Sequence, residues 1–141
     1  MNIHRKRRRG SNAIEFALTL PLFLLLLSAV MDFSWYFFTT WRLSASLREG
    51  ARIGSVTPNA DDPVSTAEDE AEDRGVGYGL VWTTVPVGVV VDNPPQRRME
   101  LSGTVEVTKL IGLVPMPTVA TSTVVIRLED QTVAITSTST N

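Results

Sequence analysis

From Phe16 to Met31 the chain reads FALTLPLFLLLLSAVM, without a single charge. A helix over that run is about 24 Å long at 1.5 Å per residue. The hydrocarbon core of a bilayer is about 30 Å thick. The pattern therefore predicts an extension through Asp32 into FSWYFFTTW, residues 33–41, which holds six of the ten aromatic residues of the chain. Mixed aromatic rings favour the membrane–water boundary. The inner boundary is expected near Ala13 and the outer one between Asp32 and Trp41. Beyond the aromatics, Leu43, Leu47 and Ala51 recur every four residues, with Ser44, Arg48 and Arg52 on another face. Gly54 and Thr57-Pro58-Asn59 stop the pattern, so one helix is predicted over about 12–53. Residues 59–75 carry seven of the fifteen acids. Ser65 and Glu68 fit a capping box and Gly75 a helix stop, which predicts a short solvated helix. From Val76 the period changes to two. Strands are expected at Leu80–Val85, Val87–Val91, Met99–Lys109 and Thr118–Leu128, with a fifth at Thr132–Ile135. Asp92-Asn93-Pro94-Pro95 forms a turn, Ile111 to Pro117 an apolar loop, and residues 136–141 a disordered tail. The expected fold class is α+β: a long membrane-spanning helix that continues outside and packs on an antiparallel sheet of three to five strands.

Charge changes the picture. The net charge of −2 comes from 13 basic and 15 acidic residues, and five of the basic ones are Arg5, Lys6, Arg7, Arg8 and Arg9. Without the first ten residues the balance is 8 against 15, a net −7. The positive-inside rule then places the amino terminus in the cytoplasm and residues 42–141 outside. Cysteine is absent and the one histidine is His4, which excludes disulfides, thiol nucleophiles, Cys-ligated metals and any scheme needing a histidine beyond residue 4. No phosphate-binding Gly-rich loop, metal-ligand cluster or nucleophile–base pair is present. No enzyme, cofactor, nucleic-acid partner or small-molecule substrate is expected. The carboxylates of 61–73 follow no calcium-loop pattern and read as a polar connector.

The amino terminus discriminates among export signals. A cleaved secretory signal needs small residues after the apolar run, and bulky aromatics stand there. Arg8-Arg9 is followed by Gly10-Ser11-Asn12, which is too polar for a twin-arginine signal. The remaining kind is cut before the apolar run. Gly10 ends the basic leader, Ser11 would be the new first residue and Glu15 the fifth. An ionised side chain in a span costs about 2.5–3.5 kcal/mol if unpaired. Glu15 either lies at headgroup level beside Arg9 or pairs with a new α-amino group on a neighbouring subunit. The joint occurrence of leader, Gly, spacing and apolar run favours the second.

These residues, Arg7 to Phe16, resemble a type IV prepilin. Residues 10–52 look like the TadE-like family of the tight-adherence (Flp) pilus system, on Ala13-Ile14-Glu15-Phe16-Ala17, Leu20-Pro21-Leu22, Met31-Asp32-Phe33 and above all Leu47-Arg48-Glu49-Gly50-Ala51-Arg52. The resemblance implies a pseudopilin, cut after Gly10 by a membrane-embedded prepilin peptidase and needed for pilus assembly. It implies other pilin or pseudopilin subunits and the assembly machinery as partners. Candidate site residues are Gly10, Ser11 and Glu15 for processing, and Pro21, Asp32, Arg48, Glu49, Gly50, Ala51 and Arg52 for assembly. Pro21 either opens the helix locally or is tolerated by neighbouring contacts. Asp32 lies about 26 Å beyond Glu15 on a helix and reads as a solvated boundary carboxylate. Arg48 and Glu49 read as a solvated face, or by resemblance as a partner contact.

The expected organisation is a cleaved leader at 1–10, a transmembrane and extended helix at 11–53, an acidic connector at 54–75, an extracytoplasmic β-domain at 76–135 and the tail. The expected function is a minor pilin- or pseudopilin-like structural part of Flp-type pilus assembly in the cytoplasmic membrane, serving adhesion and biofilm formation. The alternatives are a single-pass anchored envelope-binding module, or a pseudopilin of a type II secretion or competence machine.

Overall fold

The computed structural model describes residues 8–58, 61–93 and 96–128. The expectations for leader residues 1–7, the fifth strand and the tail lie outside the described residues. So do Asn59, Pro94 and Pro95. One helix, α1 (Arg8–Val56, 49 residues), runs about 74 Å at 1.5 Å per residue. Its helical backbone is continuous through Pro21. Residues 12–27 are exposed all round. From residue 28 a single covered stripe begins: Ser28, Asp32, Thr39, Leu43, Leu47, Ala51 and Gly54 are buried. These positions fall three, four or seven apart, on one helical face. The stripe is polar where it starts and apolar where it ends.

The second helix, α2 (Pro63–Gly77), packs antiparallel in sequence order on the far end of α1 through Ala67 and Ala71, both fully buried. Its start corrects the capping-box expectation. Asp62 is the cap, and its carboxylate accepts from the backbone N–H groups of Val64 (3.2 Å) and Ser65 (3.4 Å). Pro63 at the first helical position has no N–H to satisfy and a φ suited to the helix. Glu68 instead turns to the sheet and accepts the Gly88 N–H at 2.6 Å. Gly75 is not the stop: it lies buried inside α2, which ends after Gly77 in a turn with Gly79 at φ 74°.

The sheet is an antiparallel meander of β1 (Trp82–Asn93), β2 (Gln96–Glu106) and β3 (Val119–Arg127), in that order. The two strands expected at Leu80–Val85 and Val87–Val91 are one. Pro86, which cannot donate to a ladder, falls in the register shift between Thr84 and Val87 on this edge strand. Asn93 pairs with Gln96, and Leu101 with both Gly88 and Val124. Alternation on the central strand buries Met99, Leu101 and Val105 towards the helices. With Leu43, Leu47, Ala51, Leu80, Val107, Met116, Ala120 and Leu128 they form one core. The buried α1 residues of this core, Leu43, Leu47 and Ala51, lie on the last third of the helix, and residues 12–27 are left bare.

Candidate functional site

Two features of α1 organise the molecule. The first is at Asp32. The chain leaves β2, and Val107 donates its N–H to Thr118 O at 2.7 Å. That bond closes the base of the 108–117 loop. Asp32 Oδ1 accepts the N–H groups of Leu110 (3.0 Å) and Ile111 (2.8 Å), and Oδ2 accepts that of Gly112 (3.0 Å). Three consecutive amides can converge on one carboxylate because Gly112 adopts φ 77°, a conformation that side chains with a Cβ rarely take. Asp32 is 0% exposed. This overturns the reading of Asp32 as a solvated carboxylate. Seventeen positions of helical spacing place it beyond the apolar run, but they carry no sign of a loop almost eighty residues later in sequence. The only local signal was the Ile-Gly pair in an otherwise apolar loop. One turn earlier on the same face Ser28 is also buried, and its Oγ has no hydrogen-bond partner.

The second feature is the Leu47–Arg52 segment. Leu47 and Ala51 point into the core, as their spacing predicted. Gly50 sits where α1 and α2 touch. A Cβ built there would lie 2.6 Å from the Ala71 Cβ and 2.9 Å from the Ala71 backbone nitrogen. Real carbon atoms do not approach so closely, so the crossing needs glycine. Glu49 takes a two-pronged contact from Arg52, with Nη2 to Oε1 at 2.8 Å and Nε to Oε2 at 3.1 Å. Arg74 of α2 stands 4.0 Å from the same Oε1 and is itself held by Glu70 at 2.7 Å. The hydrogen bond from Arg52, reinforced by the charges of Arg52 and Arg74, holds the Glu49 carboxyl below its ordinary range. Glu49 raises the Arg52 guanidinium in turn. Arg48 is exposed. The segment is therefore largely an intramolecular helix–helix joint, with Arg48 facing outward.

Gly10 and Ser11 lie in the helical backbone of the first turns, and Glu15 is exposed on α1 about 26 Å from Asp32. The structure thus keeps the processing candidates at one end of α1 and brings Asp32, Glu49, Gly50, Ala51 and Arg52 into the folded end. Arg74, Ala71 and the Leu110–Gly112 amides are the partners that sequence reasoning missed.

Among the described residues one apolar helix is long enough to cross a membrane, and it carries a small α+β head on its distal end. Residues 10–52 match the family model described as TadE-like protein, and over that segment the chain is similar to that family. The match ends within the Glu49–Arg52 joint, so α2 and the sheet lie outside it. No curated protein and no solved structure matches the chain.

Proposed function

We propose that this chain is a structural, pseudopilin-like component of tight-adherence pilus assembly, anchored by α1 in the cytoplasmic membrane. The observation that carries the reading is the TadE-like match lying on a helix whose apolar residues 12–27 are uncovered by its own domain. Phe16 is 65% exposed and Leu18 73%. Such a surface calls for lipid or for other helices of the same kind. Residues 12–31 make a span of about 30 Å, the thickness of the hydrocarbon core. Asp32, held by the folded domain, then marks the outer boundary. The basic leader sets the amino terminus inside.

In this reading a prepilin peptidase cuts after Gly10 on the cytoplasmic side. Glu15 then pairs with the new α-amino group of a neighbouring subunit, which ties adjacent subunits together on assembly. Pilus production, adhesion and biofilm formation follow from that assembly. The test is complementation of a deletion strain. The wild-type chain restores pili, and Glu15→Ala inserts and is cut but restores few. Normal piliation by Glu15→Ala would remove the pairing argument.

A further inference from the structure

Nothing in an anchor-plus-head arrangement requires the head to touch the membrane, yet several observations place its 108–117 loop there. We propose that this loop is a second membrane contact, laying Leu110, Ile111 and Leu113 into the outer leaflet beside the span. The proposal rests on the reading that residues 12–31 cross the bilayer.

Depth is the first argument. The Asp32 carboxylate ties the loop to the last position before the aqueous side of α1. Cover persists at Ser28, four residues or about 6 Å further into the apolar run.

Chemistry is the second. Leu110 is 60%, Ile111 46% and Leu113 65% exposed, three large apolar side chains on one short loop with a core residue, Met116, anchoring its other side. In water this patch is unfavourable. Between the loop and α1 runs an open groove of about 400 Å³ lined by Val30, Met31, Ser34, Trp35, Phe38 and Leu110. It is continuous with the bare apolar surface of the span, and its walls suit an acyl chain. Lys109 stands exposed at the start of the loop, where an ammonium can reach lipid phosphates while its stem lies along apolar surface.

Backbone satisfaction is the third. Irregular backbone at membrane depth is tolerated only when its polar groups have partners. The three amides nearest the span, those of Leu110, Ile111 and Gly112, are the ones that Asp32 accepts. The carboxylate thereby does two things: it fixes the loop at this level and removes the cost of bringing those three N–H groups there.

The native chain has no cysteine, so single-site labelling of the full chain is straightforward. Leu113→Cys, Val125→Cys on the exposed face of β3 and Leu24→Cys in the span are each labelled with an environment-sensitive fluorophore. The proteins are reconstituted in vesicles of phosphatidylethanolamine and phosphatidylglycerol. The label at 113 is expected to be quenched several-fold more by nitroxide lipids labelled near the headgroup than by aqueous iodide, and the label at 125 the reverse. Iodide quenching at 113 equal to that at 125 would overturn the proposal. Protection from iodide without nitroxide quenching would also overturn it, since protein and not lipid would then cover the loop. Failure of the label at 24 to sense deep nitroxides would refute the span itself, which separates the two readings.

Discussion

Replacing Gly50 with Ala adds one methyl group at the tightest point between α1 and α2. The new carbon would lie 2.6 Å from the Ala71 Cβ, against the 3.4–4 Å of ordinary contact. The helices must separate by about 1 Å, and Ala67 and Ala71 offer backbone atoms there that cannot swing aside. Overpacking of this kind costs about 1–3 kcal/mol. The substitution also gains about 0.8–1 kcal/mol of helix propensity. With three atoms inside 3.0 Å of the new carbon the contact should win, leaving a net loss of up to about 2 kcal/mol, or a melting temperature lower by up to roughly 15 °C for a domain of this size. Gly77→Ala is the matched control: it lies in α2, is exposed and has nothing within 4 Å of the added carbon. That variant should be neutral or slightly more stable. Adding Ala71→Gly to Gly50→Ala relieves the side-chain part of the clash, so the double variant should lose less than the two singles summed. Near-ultraviolet circular dichroism of the full chain in detergent micelles, followed through thermal unfolding, reads all five proteins, the Ala71→Gly single variant included. A Gly50→Ala melting temperature at or above the wild type would refute the close-approach account of this segment.

Leu47→Ala, at a fully buried core position, should cost about 2–5 kcal/mol in the same measurement, and a loss below 1 kcal/mol would contradict the core assignment. Asp32→Ala should free the loop, with faster hydrogen exchange at the Leu110, Ile111 and Gly112 amides and unchanged exchange in β2; equal protection at those amides would show that the carboxylate does not hold them. Asp32→Asn keeps one acceptor oxygen and should fall between. The Glu49 carboxyl titrates below its ordinary value of 4.5 in the folded chain. The ion-pair contribution is therefore fully present above that value and is lost as pH falls through the lower folded value. The stability gap between wild type and Glu49→Gln should be constant near neutral pH and close below about pH 4.5; a gap that widens on acidification would reverse the assignment.

The elements most legible in the sequence were those set by local periodicity. An uncharged run marks α1, fourfold spacing of Leu43, Leu47 and Ala51 marks its buried face, and alternation of Met99, Leu101 and Val105 marks β2. Boundaries that depend on tertiary packing were less so. Gly75 resembled a helix stop because glycine commonly ends helices, but here it is buried within α2. The two strands expected on either side of Pro86 are one because β1 lies at the sheet edge, where a missing N–H is tolerated, and sequence does not reveal the edge position. Asp32 was read as solvated because its partners are backbone amides, which carry no residue-type signal at all. The Glu49–Arg52 pair was within reach of helical spacing, whereas Arg74 required knowing that α2 folds back on α1. The family resemblance marked the whole Leu47–Arg52 segment without saying what it does. The structure shows Gly50 and Ala51 serving the helix joint and Arg48 left outside it.

The central claim is that the chain is a prepilin-like subunit whose leader is removed before α1 takes up its final place. Mass spectrometry of the chain recovered from the membranes of a piliated host tests it directly. The account predicts a mature protein beginning at Ser11, and the unprocessed form accumulating when the prepilin peptidase is deleted. A chain from that host that still carries residues 1–10 would contradict it.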